Sequence, residues 1–331
     1  MTGKRSPTII DVAARAGVSK SAASRALLKQ YGVSDELRQR VEKAAAELGY
    51  VKDARAYGLK SFESRTIGVF VRTANLGFYG ELITVIQETL EEYDYELAVA
   101  TATPRAGSAR GALDSIMGLR PRGLIIASGR VPDDDIEVAA AAVPTMLAGP
   151  ALRIAGVGSV SDDGRGTKEL AAMLVENRHT RIGVITVARN HSTTLGARTH
   201  RMRKELIALG IEPILIPLSS ETDAPDAVAL DAAVPQVTAI MCPNDPILLT
   251  TWEMLSERDI SVPETISLTG YDGIGQIGSP VLGLTTWRQP MKKIGRTVAD
   301  QLVAQIENPD REPVHHRLTG ELVRGRTVTP F

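Results

Sequence analysis

From Thr66 onward the chain alternates short apolar runs with stretches long enough to be amphipathic helices, and no other feature limits its fold so strongly. TIGVFVR at 66–72 is followed by a helix-length segment at 80–93, ELAVATA at 96–102 by 108–119, GLIIA at 123–127 by 136–142, and TMLA closes this set at 145–148. A strand with one wet face alternates apolar and polar residues, whereas a run that is apolar throughout is buried on both faces. That is the pattern of a parallel sheet covered by helices on each side. A second set begins near Val160, with a helix-length segment at 166–176, RIGVITV at 181–187, a segment at 199–209, PILIP at 213–217, TAIMC at 238–242, a segment at 246–258 and SLTGY at 267–271. Two similar sets imply two lobes. Helix-length sequence at 291–306 follows TTWRQP, so the chain is expected to cross back to the first lobe before its last strands, HHRLTG and ELVRG. Ligands of open α/β sheets collect beyond the carboxyl ends of the strands, which places a candidate site in the cleft between the lobes.

The first 50 residues obey a different period. Thr8 followed three residues later by Asp11 is a capping-box start, and Ile9, Val12, Ala13 and Ala16 recur at helical spacing before Gly17 ends the helix. Ser19 is placed to cap a second helix from Lys20, so the connection is only Gly17, Val18 and Ser19. A turn this short forces the two helices to cross steeply, with Val18 in the angle and Ala22, Ala23, Ala26 and Leu27 against the first helix. The opposite face of the second helix carries Lys20, Ser21, Ser24, Arg25 and Lys29, donors suited to base edges and phosphate oxygens. Ser34 caps a third helix whose buried stripe is Leu37, Val41, Ala44, Ala45 and Leu48, ended by Gly49.

An alanine-rich bundle with no nucleic-acid role is the bland reading of such a pattern. Charge argues against it: the first 65 residues hold 13 Lys and Arg against 7 Asp and Glu, while the other 266 hold 25 against 32. A net +6 on the head and −7 on the body concentrates positive field where phosphate would bind. The single cysteine, Cys242, excludes an internal disulfide and a cysteine-ligated zinc cluster. No apolar run is as long as a membrane span and the amino-terminal stretch has no signal-peptide core, so the expected compartment is the cytoplasm, with no membrane partner. No metal and no cofactor are expected: Asp133, Asp134 and Asp135 read as a helix start, and the adjacent His315 and His316 point to opposite faces of a strand. No P-loop, nucleophile elbow or dinucleotide fingerprint is present. Trp252 and Trp287 read as core.

The segments IIDVAARAGVSKSAASRAL and GVSDELRQRVEKAAAELGY resemble the lactose/galactose repressor (LacI/GalR) family of transcription regulators. Heads of that family read DVA, AGVS, SR, VS, R, V, A and LGY in order, matched here at 11–13, 16–19, 24–25, 33–34, 38, 41, 45 and 48–50. The resemblance implies a small all-α helix-turn-helix head at 1–49, a hinge at 50–65, and an α/β two-lobed domain like periplasmic binding proteins at 66–331, built on two doubly wound parallel sheets. DNA contacts are then expected from Thr8, Ser19, Lys20, Ser21, Ser24, Arg25 and Lys29, with Leu59 of the hinge as a minor-groove wedge. Gly58 weakens a hinge helix by roughly 1 kcal/mol relative to alanine. In the cleft, Phe78 and Tyr79 match the family's aromatic pair, Arg198 its effector-clamping arginine, Asn244 with Asp245 its Asn-Asp pair, and Asp272 its strand-end aspartate; Thr73 stands where many sugar-responsive members carry Asp. A guanidinium, a carboxylate and an aromatic face together suit a sugar or another small polar effector. Leu76 with Gly77 and Gly149 with Pro150 depart from the family pattern, so the usual effector is not carried over. A structural ion pair is the competing reading for Arg198 and Asp272. The expected protein is no enzyme but a repressor that binds a pseudo-palindromic operator as a homodimer, with a tetramer as the larger assembly. The alternatives are a constitutive DNA binder without effector and an enzyme on the two lobes.

Overall fold

The computed structural model describes residues 7–27, 32–50, 64–73, 77–102, 109–150, 152–219 and 223–331. The chain divides into two compact units, 1–63 and 64–331. Among the described residues no helix is long and apolar enough to cross a membrane.

The first unit holds α1 (Ile9–Ala16), α2 (Lys20–Leu27) and α3 (Asp35–Leu48). The capping box forms: the Thr8 hydroxyl accepts from the Asp11 amide, while Asp11 Oδ2 accepts from the Thr8 amide at 2.6 Å. Gly17 takes φ 67°, a left-handed conformation that costs a side-chain-bearing residue energy, and its amide closes the end of α1 onto Ala13 and Ala14. Ser19 Oγ then accepts from the Ala22 amide at 3.1 Å, so only three residues separate α1 from α2. Val12, Ala13 and Ala16 of α1, Ala23, Ala26 and Leu27 of α2, and Val41, Ala44 and Ala45 of α3 form one small core, with Val18 packed at its edge. An ion pair of 2.6 Å between Arg15 and Glu47 links α1 to α3 across its surface.

The second unit contains two six-stranded sheets. The first has the order β11-β5-β4-β3-β1-β2, from β1 (Thr66–Val71), β2 (Glu96–Thr101), β3 (Gly123–Ala127), β4 (Thr145–Ala148), β5 (Gly158–Asp162) and β11 (His315–Leu318), all parallel. Alternate residues serve opposite faces. Ile67, Val69, Ile125 and Met146 pack on α4 (Gly77–Glu92) and α11 (Met291–Glu307), while Phe70, Leu124, Ile126 and Leu147 pack on α5 (Ala109–Met117) and α6 (Asp133–Ala142). Each such side chain fully withdrawn from water contributes about 1.5–3 kcal/mol. The second sheet has the order β12-β10-β9-β8-β6-β7, from β6 (Ile182–Thr186), β7 (Ile214–Pro217), β8 (Ala239–Met241), β9 (Ser267–Asp272), β10 (Thr286–Arg288) and β12 (Glu321–Val323). Its faces are covered by α7 (Arg165–Glu176) with α8 (Thr193–Ala208), and by α9 (Ala227–Ala233) with α10 (Asp245–Ser256). Trp287 and Cys242 are core residues, and burial pushes the Cys242 thiol up to about 12. Trp252 is partly buried against the core that contains Cys242.

The chain changes lobe three times: after β5, after β10 and after β11. The last change corrects the expectation that both final strands lie on the first lobe. β11 does, but β12 returns to the second sheet and runs antiparallel to β10, pairing Glu321 with Arg288 and Leu322 with Trp287. The turn between them passes so close to β10 that a Cβ on Gly320 would lie 2.2 Å from the Arg288 carbonyl oxygen. Leu322 is thereby packed against the core that holds Trp287.

Candidate functional site

Because both sheets are parallel apart from β12, their carboxyl ends bring short loops together. These loops enclose a cavity of about 220 Å³ between the two lobes. The first lobe contributes Arg72 beyond β1, Phe78 and Tyr79 at the start of α4, Arg130 beyond β3, and Gly149 with Pro150 beyond β4. The second contributes Ser192 to Leu195 at the amino end of α8, Arg198 one turn further, Asn244 beyond β8, Asp272 at the end of β9 and Gln289 beyond β10.

Arg198, 5% exposed, is the most enclosed cation of this wall. Its Nη1 donates to the Pro243 carbonyl at 2.6 Å and to Asp272 Oδ1 at 3.2 Å, and its Cζ lies 3.8 Å from the centre of the Tyr271 ring. Asp272 Oδ1 also accepts from Gln289 Nε2 at 2.6 Å. The backbone of Asp272 has φ 114°, a strained conformation that residues with side chains rarely adopt and that clusters at ligand sites. Burial pushes the Asp272 carboxyl up despite Arg198 and Gln289, which favour its ionised form. Behind it Asp245, buried at the start of α10, accepts from the Gly273 amide at 2.7 Å and from the Thr286 hydroxyl at 2.6 Å. Burial, together with the nearby Asp272 charge, pushes the Asp245 carboxyl up to about 7.

Phe78 and Tyr79 meet edge to face, with ring centres 5.1 Å apart. Burial pushes the Tyr79 phenol up to about 12, so it remains a neutral donor at the cavity. Three bridges join the lobes around this space. The Gly129 carbonyl accepts from the Thr193 amide at 2.7 Å and the Thr193 hydroxyl at 3.0 Å. Asp162 of β5 accepts from the Tyr271 hydroxyl at 2.5 Å and from Trp287 Nε1 at 2.9 Å. Asp223 accepts from Arg72 at 3.1 Å and Arg130 at 2.6 Å, with His191 Nε2 at 3.0 Å. Four buried polar atoms lining the cavity have no hydrogen-bond partner among the described residues: Arg130 Nε, Thr194 Oγ1, Arg198 Nε and Arg201 Nε.

Of the expected effector residues, the fold brings together Phe78, Tyr79, Arg198, Asn244 and Asp272 at this cavity. Thr73 is not among the residues that line it; Arg72, one residue earlier, takes that place. Asn244 uses its Oδ1 to cap α10 through the Ile247 amide at 2.9 Å, which leaves its amide nitrogen for the cavity. The ion pair between Arg198 and Asp272 exists and lines the cavity, so the structural and the ligand readings fall on the same atoms. Sequence reasoning missed Arg72, Arg130, Asp162, Arg201, Gln289 and Arg317. Arg72, Arg130, Asp162 and Gln289 stand at or just beyond strand ends, whereas Arg317 lies within β11 and Arg201 within α8, where nothing in the sequence marked them.

In the head, Lys20, Ser21 and Arg25 are exposed on α2 and Ser24 is half-buried. Thr8 and Ser19 hold their oxygens in the caps of α1 and α2. Lys29 and Leu59 lie outside the described residues. Among the described residues no group of three or more His, Cys, Asp or Glu side chains could hold a metal ion.

Residues 8–53 match the bacterial regulatory proteins of the lacI family, and residues 171–328 match the periplasmic binding protein-like domain. The chain belongs to the LacI/GalR family. It is a DNA-binding transcription regulator and not an enzyme. The ribose operon repressor of Haemophilus influenzae is 26% identical to this regulator over 314 residues, covering 92% of this chain and 93% of that one. The HTH-type transcriptional regulator GntR of Pseudomonas aeruginosa is 29% identical over 316 residues, covering 91% and 89%. In fold, the regulator is similar to the lac repressor dimer solved with operator and an anti-inducer, with a TM-score of 0.76 at 24% identity over 98% of this chain and 100% of that chain.

Proposed function

We propose that this regulator is a repressor that binds a pseudo-palindromic operator as a homodimer and changes its grip when a small polar effector enters the cleft. In this reading 1–49 is the DNA-binding head, 50–65 the hinge, and 66–331 the effector-binding and dimerisation domain. The observation that carries it is the cavity between the lobes, with four buried polar side-chain atoms left without partners among the described residues. A ligand touching both lobes alters their relative angle, and only a ligand that binds the two arrangements differently can move the equilibrium.

The heads read DNA with Lys20, Ser21, Ser24 and Arg25 of α2, joined by Lys29, Thr8 and Ser19, and Leu59 enters the minor groove. Arg25→Ala weakens operator binding by about 1–3 kcal/mol in a fluorescence anisotropy titration at near-physiological salt. Unchanged affinity in a folded variant removes α2 from the groove. The cleft reading is tested with Asp272→Asn: operator affinity without effector stays as in the parent, while release by effector is lost. By reciprocity, the factor by which effector changes operator affinity equals the factor by which operator changes effector affinity, and unequal factors would refute the coupling. The tetramer remains the larger candidate assembly, read by sedimentation.

A further inference from the structure

The cavity carries more positive charge than the carboxylates around it can balance. Among the described residues six arginines line it, and two carboxylates, Asp162 and Asp272, share that lining. Three of the six are matched, Arg198 by Asp272 and both Arg72 and Arg130 by Asp223. Arg189, Arg201 and Arg317 have no hydrogen-bond or ion-pair partner among the described residues. Asp162 forms no ion pair with them, since its oxygens accept from Tyr271, Trp287 and the Gly164 amide, although its charge still favours the Arg201 cation.

Arg201 is the informative one. It lies three residues beyond Arg198 on α8, half-buried, and its Nε is shut off from water without a partner. Burial lowers the pKa of its guanidinium, and the charges of Arg198 and Arg317 lower it further against the pull of Tyr271 and Asp162. Holding a cation in such a place is costly unless a counter-charge arrives. The amino end of the 16-residue helix α8 opens on the same space, and its dipole adds positive potential there. A neutral polyol can satisfy donors, but it leaves these cations unpaired.

We propose that the cleft takes a polyhydroxylated anion, a small carbohydrate bearing a phosphate or carboxylate group, with Arg201 and Arg317 receiving the anionic group and Asp272 and Asn244 facing hydroxyls. This rests on the cleft being the effector site. The test uses the full chain in thermal-shift and calorimetric titrations with ribose, ribose 5-phosphate and ribonate, with glucose, glucose 6-phosphate and gluconate, and with inorganic phosphate against chloride at equal ionic strength. Inorganic phosphate is expected to raise Tm, and at least one anionic sugar to bind about tenfold or more tighter than its neutral parent, the size of one charge-assisted hydrogen bond. The stronger of the phosphate and carboxylate arms identifies the anionic group. Arg201→Gln is expected to erase the preference and to raise the Tm of the ligand-free protein, and the exposed Arg317→Gln to weaken the preference without a folding cost. Neutral sugars that bind as tightly as their anions, no response to any anion in the panel, or full anion preference in both variants overturns the proposal. Neutral-sugar binding that Asp272→Asn abolishes leaves the cleft reading intact while removing the anionic effector. Anion binding that survives Arg201→Gln, Arg317→Gln and Asp272→Asn takes the ligand out of the cleft altogether.

Discussion

Two ionic groups border the cleft, and their carboxyls are shifted in opposite directions. Arg198 and Asp272 belong to the second lobe, with side chains only 6% and 14% exposed, whereas Asp223, 46% exposed, is held by Arg72 and Arg130 of the first lobe and by His191. At the enclosed pair desolvation wins, and the Asp272 carboxyl is pushed up even with a guanidinium beside it. At Asp223 burial also raises the carboxyl, but the His191 hydrogen bond and the Arg72 and Arg130 charges outweigh it and hold the carboxyl below its usual range. One cluster therefore shapes the chemistry of the wall at a cost in stability, and the other ties the lobes together at little cost. A closure that must yield to a ligand is better built from the second kind.

The largest effect expected is from Arg198→Ala. It leaves Asp272 and Asp245 buried near one another without their cation, and urea unfolding at neutral pH should show a loss of about 3–5 kcal/mol. Part of that loss should return in mild acid as the carboxyls protonate. Equal losses at both pH values would mean that packing on Tyr271, not charge, is what Arg198 supplies.

Asp245→Asn sharpens the buried side of the comparison. The folded carboxyl is raised to about 7 from an ordinary 3.8, so the folded state holds a proton that the unfolded state releases. Stability from this group is fully present below pH 4 and is lost as pH rises through 7, by on the order of 4 kcal/mol. Asparagine can accept from the Gly273 amide and donate to the Thr286 hydroxyl, so the variant should give a flatter stability profile between about pH 4 and pH 7. A profile parallel to the parent's places the titration elsewhere.

Asp223→Asn should have the smallest effect and the opposite sign. Its carboxyl is lowered, so its contribution is present above the ordinary carboxylate range and disappears as pH falls through the folded value. Screening at a half-exposed site limits this contribution to about 1 kcal/mol or less in Tm or urea measurements. A loss as large as that of Arg198→Ala would erase the distinction between the two clusters.

How much of this could be read beforehand differs between the two units. The head was legible almost entirely, because caps, turn and helical stripe are local: Thr8, Gly17, Ser19, Ser34 and Gly49 each act within four residues of where they stand. The alternation of apolar runs likewise showed two lobes, since buried parallel strands need no information beyond their own period. The return of β12 to the second sheet was not visible, because it depends on how closely Gly320 passes the Arg288 carbonyl, a contact made 32 residues away.

The sequence by itself determined the elements, their two-lobed grouping and the identity of the family, and a resemblance in short motifs pointed to Arg198, Asn244 and Asp272. Tertiary structure alone decided that Arg72, Arg130 and Asp223 meet across the lobes, that Asp162 is committed to Tyr271 and Trp287, and that Arg201 is left with no partner among the described residues. The physical reason is that pairing and desolvation belong to positions in space. A charge is costly or cheap according to what surrounds it, and residues separated by 93 positions, as Arg130 and Asp223 are, become neighbours only when both sheets present their carboxyl ends to one cavity.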